Sequence, residues 1–188
     1  MVAGFRRVRK GGVAVVFGTD DERWLRHVLG EMLELLGTAD GSDGLGSSDD
    51  PLAAAVGIGT STSPPEDPAL ARLFPDGYTE DPEASADFRR YTEPGLRAAK
   101  RAALQTALST LSADRVVLDA EQAESWLRAL NDTRLVLGER LGVTEELDEL
   151  LESLAASDPE DPRLPMFWVY DRLTYLQESL VQALSGGS

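Results

Sequence analysis

The first feature of this sequence is the absence of cysteine from its 188 residues. Without a thiol, the chain by itself cannot form a disulfide, a thiolate nucleophile, a thiolate metal site or a direct thiol redox sensor. His27 is its only histidine, and no HExxH spacing occurs, so a zinc site would have to use carboxylates alone. We therefore expect neither a metal site nor a cofactor.

Long hydrophobic runs are also missing. No apolar stretch approaches the roughly 20 residues that a helix needs to span a bilayer. The basic beginning of the chain resembles the start of a signal peptide, but the apolar run over residues 13–17 is too short for its hydrophobic region and acidic residues follow at once. The lack of cysteine fits a reducing compartment. The sequence therefore predicts a cytoplasmic protein that does not contact a membrane.

Charge is abundant but unevenly placed. The net charge is −15; residues 1–17 contain four basic residues and no acid, whereas residues 143–162 contain eight acidic residues and no base. A surface this acidic repels the phosphate backbone of nucleic acids, so direct nucleic-acid binding is disfavoured.

The pattern of apolar residues predicts a mainly α fold, a helical bundle of about five to seven helices with a short N-terminal β-hairpin. Two β-prone runs flank Gly11 and Gly12, which is typical of a hairpin. The pairs Asp67-Pro68 and Asp81-Pro82 each offer a helix cap followed by proline. We predict a single domain over 1–188, and its parts are a hairpin over 3–18, a long flexible loop over 38–66 and a helical core over 67–185. The run over 116–118 is either a strand or an extended connection.

Polar residues interrupt the apolar stripes of two predicted helices, one over 119–141 and the other from about Leu164 to Leu184, which we expect to face each other. Arg134 falls on the stripe of one helix, and Asp171 and Glu178 lie one step round from the stripe of the other. We predict that Arg134 pairs with Asp171 or Glu178, and that Asn131 and Gln177 satisfy the remaining donors and acceptors. Such a network is either a structural staple that sets helix register or a binding or catalytic cluster.

A basic cluster lies in the middle of this acidic chain. It consists of Arg89, Arg90, Arg97, Lys100 and Arg101. On an acidic protein such a cluster is a candidate docking site for a protein partner or an anion. The alternative is internal pairing with the acidic segment 145–152, because such pairs are common and individually weak. Trp126 and Trp168 are expected in the core, where aromatic side chains bury the most surface.

Several motifs occur together in this chain. They are Leu73-Phe74-Pro75-Asp76-Gly77-Tyr78, Phe88-Arg89-Arg90-Tyr91-Thr92, Leu130-Asn131-Asp132 with Leu141-Gly142-Val143, and Tyr170-Asp171-Arg172-Leu173-Thr174. In this combination the chain resembles an actinobacterial domain-of-unknown-function family, DUF2017, over nearly its whole length apart from 38–66. The resemblance implies genes encoded beside a Clp protease adaptor and, for some members, oxidative-stress transcriptional regulators that act with an extracytoplasmic-function sigma factor. The redox sensing proposed for those members depends on cysteines, so it does not transfer to this chain.

Three hypotheses of function follow. The preferred one is a non-enzymatic regulatory or adaptor protein that acts by protein-protein contact, in transcription or oxidative stress, with a sigma factor or a protease-related component as partner. The second is a small-molecule-binding protein or hydrolase-like enzyme built around Arg134, Asp171 and Glu178. The third is a structural homo-oligomer such as a homodimer. The family resemblance, the acidic surface and the lack of catalytic motifs favour the first.

Overall fold

The helices and strands are seen in a computed structural model that describes residues 4–8, 12–37, 63–78, 80–144, 158, 161 and 163–186. In these residues the helices are α1 (Thr19–Leu35), α2 (Pro68–Leu73), α3 (Pro82–Thr110), α4 (Ala120–Leu141) and α5 (Leu164–Ser185). The strands are β1 (Arg6–Arg7), β2 (Val13–Val16) and β3 (Arg115–Leu118). The predicted mainly α fold is confirmed. No helix in these ranges combines the length and the apolar character needed to cross a membrane.

Some predicted segments lie outside the described residues. These are most of the 38–66 loop, the turn of the hairpin at Gly11, and the acidic segment 145–152.

The three strands form one antiparallel sheet in the order β1-β2-β3. Arg6 lies opposite Ala14, and Val15 lies opposite Val116. The predicted hairpin is therefore present, and the β-prone run near residue 116 is a third strand rather than an extended connection. A two-stranded hairpin alone is marginal in water, and the added strand together with packing on the helices stabilises it.

The sheet is attached to the helices through a buried aromatic cluster around Trp126 of α4. The Phe17 ring stacks on Trp126 at 5.6 Å between centroids, and the Phe5 ring meets it edge-on at 5.7 Å. The indole Nε1 of Trp126 donates to Thr110 Oγ1 at 2.8 Å, so the polar atom of this buried ring is satisfied. The sheet, α4 and the end of α3 therefore meet at one side chain.

Helix α3 runs without a break through Pro94. Proline lacks an N–H group and so weakens an α-helix at its position. The carboxylate of Glu93 bonds to a side chain on each side of this point, accepting from Arg89 at 2.7 Å and from Arg97 at 2.8 Å. These i,i+4 bonds join the turns before and after the proline and so support the helix where proline weakens it.

The end of α3 is held by a side chain from α1. Arg26 donates to the carbonyls of Leu108 at 3.4 Å and Leu111 at 3.0 Å, and its guanidinium also contacts Glu22 at 2.7 Å. The last carbonyls of a helix have no partner inside it, and a cation is favoured near their negative end. Because α3 has no basic residue in its own last turn, α1 provides this cap.

Candidate functional site

Most side chains of the basic cluster, the predicted docking site, point towards the interior of the protein. Arg89 is only 4% exposed. Its guanidinium donates to Glu93 Oε2 at 2.7 Å, to Asp76 Oδ1 at 2.7 Å and to the carbonyl of Phe74 at 3.1 Å. Burial disfavours the charged guanidinium, but the bonds to Asp76 and Glu93 outweigh it and raise the pKa of Arg89 above its ordinary value. The prediction that Arg89 meets a partner is therefore wrong.

Arg97 extends this network to the end of α1. It donates to Glu93 Oε1 at 2.8 Å and to the carbonyl of Leu36 at 3.0 Å. Its guanidinium also lies 4.5 Å from the centre of the Phe74 ring, within the range of a cation–π interaction. Arg97 is therefore bonded within the chain, although 28% of its side chain is exposed, and its docking role stays a prediction.

Lys100 and Arg101 also bond within the chain. Lys100 Nζ lies 2.9 Å from Asp132 Oδ1, with 15% and 7% of the two side chains exposed. Arg101 donates to the carbonyl of Leu33 at 3.1 Å. Helix α1 has no basic residue in its last turn, so α3 caps it from outside, as α1 caps α3. Both cationic groups are bonded within the chain, and the docking role of these two bases stays a prediction.

Arg90 is the member of the cluster that stays open to solvent. Its side chain is 40% exposed, lies 3.6 Å from the Asp87 carboxylate and sits 5.9 Å from the Tyr91 ring centre. Internal pairing, the alternative interpretation, describes the other four bases better. Their partners are Asp76, Glu93, Asp132 and backbone carbonyls, whereas the segment 145–152 lies outside the described residues. The i,i+4 spacing of Arg89, Glu93 and Arg97 is the sequence signal that indicates part of this network.

Asp76 makes the network sensitive to acid. The hydrogen bond from Arg89 lowers the pKa of the Asp76 carboxyl below its ordinary value, although burial acts in the opposite direction. The pKa of Asp76 is lower in the folded state than in the unfolded state, where it has the ordinary value of about 3.9. The hydrogen bond from Arg89 to the ionised carboxylate therefore contributes fully to stability above that ordinary value. This contribution is lost as the pH falls through the folded-state value.

We therefore expect Asp76→Asn to lower the unfolding temperature near neutral pH and to have little effect once the wild-type carboxyl is protonated. Thermal unfolding of both proteins, followed by circular dichroism from neutral pH down into the acid range, measures this difference. A difference that stays constant across the titration of the carboxyl would contradict the assignment.

The second predicted network forms only in part. Gln177 Nε2 of α5 donates to Asn131 Oδ1 of α4 at 3.2 Å. Among the described residues, Arg134 forms no ion pair with Asp171 or Glu178; both acidic residues are exposed, and the Arg134 Nε is buried without a hydrogen-bond partner. The predicted ion pair is therefore wrong. The two carboxylates lie beside the buried line of α5 rather than on it, so they keep their hydration, whose loss is costly for a charge.

This geometry predicts a small effect for a substitution at position 134. We expect Arg134→Met to change the free energy of unfolding by less than about 1 kcal/mol, because no buried carboxylate loses its partner and the stem of the side chain is preserved. Urea unfolding provides the measurement. A loss of about 3–5 kcal/mol, the cost of breaking a buried pair, would restore the ion-pair interpretation.

A cleft of about 480 Å³ lies between α1, α4 and the start of α5. Its lining is mostly apolar and includes Val28, Met32, Leu35, Val136, Leu137 and Val169. His27, Glu31 and Arg140 also border it, whereas Arg134, Asp171 and Glu178 do not. In the described part of the chain, no three His, Asp or Glu side chains are grouped so that they could hold a metal ion.

Trp168, expected in the core, is 52% exposed. Its ring meets Trp24 edge-on at 5.7 Å, and the Arg172 guanidinium lies 5.6 Å from its centre. The neighbouring Phe167 is buried instead. One position along a helix turns a side chain by about 100°, which is enough to move it from the core to the surface.

The fold and these contacts define a mainly α protein with a small N-terminal sheet, in which the Lys100–Asp132 ion pair joins α3 to α4. The chain belongs to the family described as "Domain of unknown function (DUF2017)", which matches residues 2–184.

Curated relatives agree with this assignment. The chain is 36% identical over 176 residues to the "Putative oxidative stress regulator AosR" of Mycobacterium leprae, covering 85% of this chain and 76% of the relative. It is 35% identical over 178 residues to the "Oxidative stress regulator AosR" of Mycobacterium tuberculosis (strain ATCC 25618 / H37Rv), covering 86% of this chain and 77% of the relative. No solved structure gives a significant match.

Proposed function

We propose that this protein is a non-enzymatic regulator of the oxidative-stress response that acts by binding another protein. The observation that carries the proposal is the similarity, along 85% of the chain, to relatives named oxidative stress regulators. The candidate partner is a sigma factor, and a protease-related component is the alternative partner.

The composition restricts how such a regulator would work. Oxidant sensing through a thiol needs a cysteine, and these 188 residues contain none. A thiol-based signal would therefore have to arise in the partner, and this chain would respond to the partner's state. The net charge of −15 disfavours direct contact with DNA, which also favours a role exerted through protein contact.

Deletion of the gene in its host tests the regulatory role. We expect the deletion strain to survive peroxide less well and to show altered stress transcription, with both defects reversed by the intact gene. Binding of the purified protein to each purified sigma factor of the host, measured by calorimetry, tests the partner. A deletion strain that matches its parent in both survival and transcription would reject the proposal.

The two other hypotheses are weaker. The enzyme or small-molecule site built around Arg134 loses its structural basis, because Asp171 and Glu178 do not converge on that residue. The homodimer stays a prediction, and light scattering at micromolar concentration tests it.

A further inference from the structure

One face of α3 presents apolar residues to solvent along several turns. Ala84, Phe88, Tyr91, Gly95, Ala98 and Ala102 follow one another in alternating steps of four and three residues. This spacing places them along one line of a helix, which we name the outer seam of α3. Phe88 is 46% and Tyr91 is 61% exposed, and the seam residues that follow them are exposed as well.

The opposite face of the same turns is buried, although it is polar. Ser85, Arg89 and Glu93 are buried there, while the two aromatic rings face solvent. A surface helix normally shows the reverse arrangement, with its apolar side chains turned towards the core. The ring of Tyr78, itself 52% exposed, meets the Phe88 ring edge-on at 6.0 Å and enlarges the patch. Contiguous exposed apolar surface of this kind marks interaction sites.

The shape of the outer seam suits a helix as its occupant. Phe88 and Tyr91 provide large side chains at one end, and Gly95, Ala98 and Ala102 provide room for a close approach at the other. The space above Gly95 is open, because a Cβ placed there would meet no atom within 4 Å.

Charges beside the aromatic end indicate the character of the occupant. The exposed acidic residues there are Glu80, Asp81, Glu83 and Asp87. Within the described residues 80–93, Arg90 is the base that is open to solvent, because Arg89 is buried against two carboxylates. An occupant with lysine or arginine side chains would therefore be attracted to this end of the seam.

The same charges disfavour a second copy of the chain. In a parallel pair of α3 helices the acidic ends would face each other. In an antiparallel pair each acidic end would face the region of Arg97, Lys100 and Arg101 of the other copy. The cationic groups of these residues are already bonded inside their own chain, so they attract a second copy little.

We infer that the outer seam of α3 is a docking surface for a lysine- or arginine-bearing amphipathic helix of another protein, with Phe88 and Tyr91 as its anchors. The inference rests on the proposed function, because it specifies the chemistry of the partner that such a regulator binds. Aromatic side chains are enriched among the residues that carry most of the energy of an interface.

Two synthetic helical peptides test the inference on the full chain. Both carry leucine at the seam spacing; one has lysine at the remaining positions, and the other has glutamate there. We expect the lysine peptide to bind and to shift the amide resonances of residues 84–102, and the glutamate peptide not to bind. Equal binding of both peptides, absence of binding by either, or shifts confined to the cleft between α1, α4 and α5 would overturn the inference.

Substitutions that leave the net charge unchanged test whether the peptide binds the outer seam or is attracted only by the negative charge of the whole protein. We expect the double variant Phe88→Ser/Tyr91→Ser to bind the lysine peptide about tenfold more weakly or worse. The matched control Val16→Thr/Val117→Thr, on the sheet face where these side chains are 51% and 55% exposed, should bind as the wild type does. Circular dichroism establishes that each variant is folded. Equal losses in the two variants, or self-association of the wild type that Phe88→Ser/Tyr91→Ser abolishes, would overturn the inference.

A second pair of variants tests the charge argument. Glu83→Gln/Asp87→Asn removes two acids beside the aromatic end, and Glu121→Gln/Glu124→Gln removes two exposed acids from the start of α4. Both variants have the same net charge, and we expect only the first to weaken binding of the lysine peptide clearly. Equal weakening would show that overall charge, rather than the seam, attracts the peptide.

The deletion strain distinguishes this inference from the proposed function. If deletion has no effect on stress survival, the regulatory role fails, while the peptide result still decides the docking surface. If deletion has an effect and the gene encoding Phe88→Ser/Tyr91→Ser restores survival fully, the regulatory role stands and the docking surface is wrong.

Discussion

Arg89→Met is expected to lower the free energy of unfolding by about 3–5 kcal/mol, because it leaves the Glu93 carboxylate buried without its partner on that side. The two side chains are 4% and 10% exposed and lie 2.7 Å apart, so water cannot readily replace the lost guanidinium. The substitution also removes the hydrogen bonds that Arg89 donates to the Phe74 carbonyl and to Asp76. Urea unfolding at neutral pH is the measurement.

The adjacent arginine provides the control. Arg90→Met removes the same charge from the next position, but its side chain is 40% exposed and its contact with Asp87 is 3.6 Å long. We expect a change within about 0.5 kcal/mol there. The double variant Arg89→Met/Glu93→Gln should recover part of the stability, since no buried charge is then left without a partner at this point. Similar losses in Arg89→Met and Arg90→Met would contradict the assignment of Arg89 to a buried network.

Trp126→Ala is expected to cost about 3–5 kcal/mol, the range observed when a buried large aromatic is truncated. The indole is fully buried, and it joins Phe5, Phe17 and Thr110. Its removal leaves a cavity where the sheet meets α3 and α4, and it also leaves the Thr110 hydroxyl without its donor. Chemical denaturation followed by far-ultraviolet circular dichroism measures the loss.

Trp168→Ala is the matched control for this prediction, because the same side chain is removed from a site that is 52% exposed. We expect it to cost less than about 1 kcal/mol, since much of its surface is already in water. If the two tryptophan variants lost equal stability, the aromatic cluster around Trp126 would not hold the sheet in the way proposed.

Local sequence signals predicted the secondary structure well. Asp67 and Asp81 are the helix caps that the sequence predicts, and each side chain accepts a hydrogen bond from a backbone N–H in the first turn. Asp119 caps α4 in the same way. Gly142 ends α4 with a φ of 65°, the left-handed conformation that favours glycine. These features depend on residues within a few positions of one another, so the sequence alone contains the information.

Charged residues were harder to place. Arg134 lies on an apolar stripe, yet no carboxylate of α5 turns towards it, whereas Arg89 was expected on the surface and is buried. The helical spacing of Glu93 with Arg89 and Arg97 indicated neighbouring side chains but not their burial. That depends on Phe74 and Asp76, which approach from another segment. Partners of this kind are set by helix packing, which a single sequence does not reveal.

The sequence by itself determined the helices, their caps, the hairpin strands and the exclusion of thiol chemistry, because each follows from residue type and short-range spacing. Only the tertiary structure decided which charged side chains are bonded inside the protein and which helix faces remain exposed to solvent. It bonded the cationic groups of Arg89, Arg97, Lys100 and Arg101 to other segments of the chain, and it left the seam through Phe88 and Tyr91 in solvent. A charge is buried only where a distant segment supplies its counter-charge or an unpaired carbonyl, and that proximity arises when the helices assemble.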